Sequence, residues 1–264
     1  MQPLSAFAVE ARRAVRGVLC DIDDTVTSDG RLTAAAYDAL ERLRTAGLVV
    51  VPITGRPAGW CDHIARMWPV DAVVGENGAF YFRYDHAART MRRQFADAPP
   101  IRAQHRAALQ AIAAEILAAV PGAAIAADQP YRETDLAIDF CEDVPPLPDA
   151  AVQRIVAIMQ SRGLTAKISS IHVNGWFGDY DKLAMTRRLF AECFDTDLDV
   201  ARTHYVFAGD SPNDAPMFGY FPHAVGVANI RAFSGRLAQE PAYVTAGAAG
   251  AGFVELVNAL LGTK

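Results

Sequence analysis

The chain is predicted to fold as an α/β protein, a doubly wound parallel sheet carrying an inserted α+β unit, and three observations predict it. Short apolar runs alternate with amphipathic helical segments at both ends of the 264 residues. Two of those runs, 15–20 and 204–208, stop at once in an acidic turn. Between them, from about 83 to 176, pairs of strand-like segments replace the alternation. Alternating strand and helix argues for parallel pairing with right-handed crossovers, and grouped strands argue for a separate α+β layer.

The elements follow in order. Residues 15–22 are apolar enough for a buried strand. A helix over 33–46 has Thr33 as N-cap, Tyr37, Leu40 and Leu43 on one face, and Gly47 just past its end. A second strand over 48–53 leads into Thr54-Gly55-Arg56-Pro57, with Pro57 in the first turn of a helix reaching about Met67. A short strand at 71–74 ends in Gly75-Glu76-Asn77-Gly78. The inserted unit then reads as paired strands at 80–84 and 90–95, a long helix over 101–120, strands at 123–127 and 134–140, a helix from Asp149 to about Ser161, and strands at 164–168 and 171–174. From Lys182 the first pattern returns: helix 182–193, strand 204–208, strands 224–227 and 242–245, and a closing helix to about Leu261. The catalytic core is therefore expected over 1–82 and 177–264, with 83–176 as the inserted domain.

Composition narrows the class. A 52% hydrophobic and 21% charged chain of this length can bury a sizeable core. Its net charge of -5 gives no general reason to expect nucleic acid or an anionic membrane as partner. No apolar stretch reaches spanning length, and Glu10, Arg12 and Arg13 interrupt any signal-peptide core, so a cytoplasmic monomer or homodimer is expected. Cys20, Cys61, Cys141 and Cys193 lack zinc spacing and read as reduced packing groups. Three lysines, Lys167, Lys182 and Lys264, stand among 25 basic residues, so Asp181-Lys182 keeps a compact ammonium in a chain that otherwise uses arginine. Coding bias explains the same imbalance equally well.

The acidic turns carry the chemistry. Asp21-Ile22-Asp23-Asp24-Thr25 and Gly209-Asp210-Ser211-Pro212-Asn213-Asp214 gather carboxylates at strand ends. Carboxylates are costly to gather unless something positive is held among them. In a doubly wound sheet ligands bind outside the carboxyl ends of the strands, where Thr54 and Lys182 also fall. Two such turns therefore point to one site for a hard cation and a phosphate. Each piece has a plainer reading alone: a solvated turn for Asp21 and Asp23, an N-cap for Thr54, a helix-start residue for Lys182, a proline turn for 210–214.

Taken together and in order, these four pieces resemble the motifs of the haloacid dehalogenase-like superfamily of phosphohydrolases. DIDDT is similar to its first motif, Thr54 of ITGR to its second, Lys182 to its third and GDSPND to its fourth. GENGA at 75–79 and Asn174-Gly175 ahead of Asp181-Lys182 resemble the subgroup with a large C2-type cap, the Cof-like and sucrose-phosphatase-like enzymes. One departure is Asp24, where many relatives have glycine.

The resemblance implies a Rossmann-like core under a C2-type cap, and a magnesium-dependent phosphatase acting on a small phosphomonoester such as a sugar phosphate. Asp21 would be the nucleophile that becomes an aspartyl-phosphate, and Asp23 the general acid and base. Thr54 and Lys182 would hold the phosphoryl oxygens. Magnesium would be held by Asp21, the Asp23 backbone carbonyl, Asp210, Asn213 and Asp214. Thr25, Gly55, Arg56, Asn77, Gly78 and Asn174 would touch substrate, although Asn77 and Gly78 read equally well as a turn with positive φ. Arg132, Glu133, His172 and Trp176 could also reach a substrate, with packing the plainer reading, and Arg92-Arg93 read as a solvated strand face. A sugar-phosphate phosphomutase and a non-catalytic phosphometabolite-binding protein remain open alternatives.

Overall fold

The computed structural model describes residues 1–169 and 171–262; Lys264 lies outside the described residues. In chain order they form β1 (Gln2–Pro3), α1 (Val9–Arg13), β2 (Gly17–Cys20), α2 (Ala34–Thr45), β3 (Val49–Pro52), α3 (Ala58–Met67), β4 (Val73–Gly75), β5 (Phe80–Asp85) and β6 (Thr90–Phe95). The middle of the chain holds α4 (Pro99–Ala119), β7 (Ala124–Ile125), β8 (Asp135–Asp139), α5 (Asp149–Ser161), β9 (Thr165–Ile168) and β10 (His172–Trp176). It closes with α6 (Lys182–Cys193), α7 (Leu198–Ala201), β11 (Tyr205–Gly209), α8 (Ala215–Tyr220), β12 (Val225–Gly226), β13 (Tyr243–Val244) and α9 (Ala249–Leu261).

Among the described residues a six-stranded parallel sheet runs β1-β13-β12-β11-β2-β3. Alternate side chains of a strand point to opposite faces, and β2 shows the consequence. Val18 and Cys20 join the core beneath α2, α3 and α9, while Leu19 joins the one beneath α6 and α8. Both faces are covered, which makes the sheet doubly wound. β11 and β2 lie side by side at the centre, with Cys20 opposite Ala208, so the two acidic turns emerge next to each other.

The inserted unit has its own antiparallel sheet, β7-β8-β10-β9. Leu136, Ile138 and Val173 pack with residues of α4 and α5 on one face. Period-two alternation sends Asp135, Asp139, His172 and Asn174 to the other face, and all four are buried.

The strand and helix expectations hold with shifted ends: many are trimmed, while the start of α4 and the ends of β5 and β10 run one or two residues further. Thr33 caps α2, accepting a 3.2 Å hydrogen bond from the Ala36 amide, and Gly47 follows at φ 77°. Pro57 is the residue before α3 rather than part of its first turn. The expected 82/83 boundary falls inside β5: the β5–β6 hairpin pairs with β4, and Phe80, Phe82 and Phe95 stack together against the core. Only from α4 onward does the chain build the second sheet. No helix among the described residues is long and apolar enough to cross a membrane.

Candidate active site

Asp21 is the first residue beyond β2, and its amide donates to Ala208 O across the sheet at 2.9 Å. That bond aims the carboxyl out of the sheet end, where Asp210 and Asp214 arrive from β11. Oxygen atoms of Asp21, Asp210 and Asp214 all lie within 4.8 Å of one another, and all three residues are buried. Lys182, the first residue of α6, enters the same space. Its ammonium donates to Asp21 Oδ1 at 2.7 Å and to Asp214 Oδ1 at 2.8 Å. Asp181 places it by accepting from the Ala184 amide at 2.7 Å as the N-cap of α6.

Local hydrogen bonds hold the fourth motif in shape. Ser211 and Asp214 form a capping box, and Asp214 Oδ2 also accepts from the Asp210 amide at 3.2 Å. Asp214 therefore orients Lys182 with one oxygen and ties its own turn with the other. Among the described residues Asp210 accepts from neutral donors, the Thr25 hydroxyl at 3.3 Å and the Asn229 amide at 3.2 Å. Asn229 also donates to Asp24 O at 2.9 Å, stitching the two acidic turns together.

Three buried carboxylates thus share one ammonium. Burial, together with repulsion from Asp214 and Asp23 and against the attraction of Lys182, pushes the Asp21 carboxyl up to about 8. Burial, with Asp21, Asp214 and Asp24 nearby, holds Asp210 well above the usual carboxylate range. Lys182 moves the other way from a buried amine, because Asp21 and Asp214 outweigh its desolvation. An all-oxygen, anionic, buried donor set is the environment that a hard divalent cation such as magnesium fits.

Asp23 turns away from this trio. Arg56 grips it through Nε, 3.0 Å from each oxygen, and Nη2 at 2.9 Å. The same guanidinium reaches Glu142 at 2.9 Å and Asp128 at 3.4 Å in the inserted unit. Glu142 also lies 2.9 Å from His172 Nε2; His172 and Arg56 hold its carboxyl down at about 2. Arg132 runs beside Arg56, bound to Asp128, Asp135 and Gly55 O, with Asn174 donating to Asp135 at 2.9 Å. Glu76 closes the junction, accepting from the Ala58 amide of the core and from the Glu133 and Thr134 amides of the insert at 2.7–3.0 Å.

The sequence-predicted residues sort accordingly. Asp21, Asp23, Gly55, Arg56, Asn174, Asp210 and Asn213 line one small space of about 20 Å³ between the two units. Lys182 and Asp214 do not line it and meet it through Asp21, which Lys182 binds. Thr54 is fully buried, and its hydroxyl accepts from the Arg56 amide at 3.0 Å rather than capping α3. Thr25 sits behind Asp210 instead of facing the space. Asn213 lines it with its amide oxygen held by the Ser211 hydroxyl. Asn77 and Gly78 form the positive-φ turn, at 56° and 106°, that packs under the start of α6. Asp24 sits at φ 54°, where glycine rests without strain. Trp176 is core, and Arg92 and Arg93 form exposed ion pairs with Glu192 and Asp62.

Sequence reading missed Asp128, Glu142, Glu76 and Asn229. Asn229 was within reach of the rule that strand carboxyl ends bear the site, since it follows β12 closely. Asp128 and Glu142 stand in loops, with no period to mark them.

The sequence model of the haloacid dehalogenase-like hydrolase family matches residues 18–111. No protein of curated function matches the chain in sequence. Solved structures match it along almost all of its length. Protein 0175 of Thermoplasma acidophilum is 18% identical with a TM-score of 0.69, covering 94% of this chain and 98% of its own. A HAD/COF-like hydrolase from Plasmodium vivax is 16% identical at 0.68, covering 97% and 100%. The sucrose-phosphatase of Synechocystis sp. PCC6803, solved with sucrose and phosphate, is 15% identical at 0.60, covering 93% and 98%. Residues 18–111 thus match the haloacid dehalogenase-like hydrolase family in sequence, and the chain as a whole shares the fold of these solved structures from end to end.

Proposed function

We propose that this protein is a magnesium-dependent phosphatase of small phosphomonoesters, sugar phosphates among them, working through an aspartyl-phosphate. The observation that carries the reading is the buried trio Asp21, Asp210 and Asp214 around the Lys182 ammonium, at the carboxyl ends of two neighbouring parallel strands. The names of the matched structures, a sucrose-phosphatase and a subclass IIB sugar phosphatase, support the substrate class.

Asp21 attacks phosphorus in line through a carboxylate oxygen, and the phosphorus bond to the leaving oxygen breaks. Asp23 gives that oxygen its proton. A water then attacks the acyl-phosphate, passes a proton to Asp23, and frees phosphate and the Asp21 carboxylate. Lys182 supplies fixed positive charge to the phosphoryl oxygens, and Thr54 lies at the next strand end to hold one of them. Asp21, Asp210 and Asp214, with Asn213 and the Asp23 carbonyl beside them, would hold magnesium, whose charge offsets the repulsion between carboxylate and phosphate. Arg56 positions Asp23, and the closed space keeps bulk water out during the first transfer. The unit from residue 99 to 176 acts as the cap. We place the enzyme in the cytoplasm, as a monomer or homodimer.

Phosphate release from a panel of sugar phosphates, with and without EDTA, tests the reading. Asp21→Asn should lower turnover at least about 10³-fold while keeping the fold. An active Asp21→Asn variant would remove the nucleophile assignment, and an isomerised sugar phosphate without free phosphate would make the protein a mutase.

A further inference from the structure

The space above Asp21, about 20 Å³, has room for little more than a water molecule. A sugar does not fit there while the cap is seated. Asp23 and Arg56, however, form the shared wall to a second, open cavity of about 480 Å³, within the range of small-molecule sites. Its other walls are Ile22, Leu32, Trp60, Trp68 and His63, all from the core and none from the cap. Of the three tryptophans in the chain, two stand here, and Trp60 is 43% exposed. A large aromatic side chain left in water beside a catalytic acid has an unsatisfied apolar surface. The Arg56 guanidinium lies over the ring, 4.5 Å from its centroid, and binds Asp23 at 2.9 Å, so Trp60 is linked to the acid through Arg56.

We propose that this cavity receives the leaving group, and that its occupant is a sugar or other cyclic polyol. A sugar ring offers one face of C–H groups to Trp60 and Trp68 and hydroxyls to the His63 imidazole at the rim. Its phosphorylated oxygen then points to Asp23, which must protonate it. Specificity accordingly lies in α3 and the β2–α2 loop as well as in the cap. The inference rests on the phosphatase reading.

The test compares kcat/KM for glucose 6-phosphate with that for acetyl phosphate, which has no ring. Trp60→Ala should lower the ratio of the two about tenfold, the effect of losing one well-packed aromatic anchor; Trp60→Phe should lower it less, and His172→Ala on the cap side less still. A ratio that moves with His172→Ala and stays put with Trp60→Ala overturns the proposal while leaving the phosphatase intact. If wild type hydrolyses neither these compounds nor any of the sugar-phosphate panel, the phosphatase reading fails, and binding still decides the cavity. Glucose 6-phosphate added to Asp21→Asn with magnesium should change tryptophan emission, and the change should shrink when Trp60→Phe is added and vanish when Trp68→Phe joins it. Emission that does not respond, or a response that survives without both Trp60 and Trp68, rejects the site.

Discussion

Lys182 holds together what would otherwise repel. Its ammonium lies within 2.8 Å of two buried carboxylates, and these stand within 4.8 Å of a third. A compact, three-donor head suits that space, where the planar fork of arginine would not. Removing one partner of a buried ion pair costs roughly 3–5 kcal/mol, because the charge left behind has no solvent. Lys182→Met should therefore melt at least roughly 5 °C below wild type in EDTA. Magnesium should recover more of the lost stability in the variant than it adds to wild type. Melting within a degree of wild type would mean that the trio is already neutralised by protons. At the same scale, Asp24 replaces a residue free to adopt φ 54° with one that must be held there, and its amide bond to Thr27 Oγ1 and carbonyl bond to Asn229 do the holding.

At the scale of elements, the turn 76–78 and the start of α6 are one device. Gly78 has φ 106°, and a Cβ there would stand 2.0 Å from the Asp181 carbonyl oxygen. Asp181 caps α6, so the turn sets where Lys182 begins its helix. Gly78→Ala should lose more than about 2 kcal/mol in urea unfolding, from strain and clash together, and turnover should fall with it as Lys182 shifts. Gly163→Ala is the control, because that glycine has φ 79° but open space around it. Its loss should be limited to roughly 1 kcal/mol of backbone strain. Equal losses at the two positions would show that φ alone matters and that the packing onto α6 does not.

At the scale of the whole molecule, the core and the insert are joined by charge rather than by a continuous apolar core. Each has its own hydrophobic cluster. Between them run Arg56 to Asp128 and Glu142, Arg132 to Gly55 O, and the Glu76 carboxyl to two insert amides. Burial and the Asp135 charge push Glu76 up to about 7, against the pull of Arg132 and its hydrogen bonds. Its folded pKa is raised, so the stability linked to its proton is whole below its ordinary value and is lost as pH climbs toward 7. Glu76→Gln cannot titrate. Between about pH 5 and about pH 8 its melting temperature should change less than that of wild type, by a few degrees. Parallel curves would show that the junction does not titrate in this range.

Much of this was legible in the residues. Thr33, Gly47, Lys182 and the apolar runs announce themselves by local rules of capping and periodicity, and these rules place both acidic turns at strand ends. Asp21, Asp210 and Lys182 could be assigned to one site because parallel strands deliver their carboxyl ends to one edge. Side-chain partners across the junction were not legible. Nothing local says that Arg56 would spend its guanidinium on Asp23, Asp128 and Glu142, or that Thr54 would bond the Arg56 amide instead of capping α3. Nor does any run of residues reveal that the β5–β6 hairpin pairs with β4 in a small sheet packed on the core rather than with the antiparallel sheet of the insert, since strand partners are chosen by faces that meet only after folding. The sequence by itself determined the sheet, the order of its helices and the acidic chemistry at its edge, because each rests on contacts between near neighbours. The tertiary structure alone decided which charges pair, how tightly the cap closes and which open wall adjoins Asp23, because these depend on distances between segments far apart in the chain.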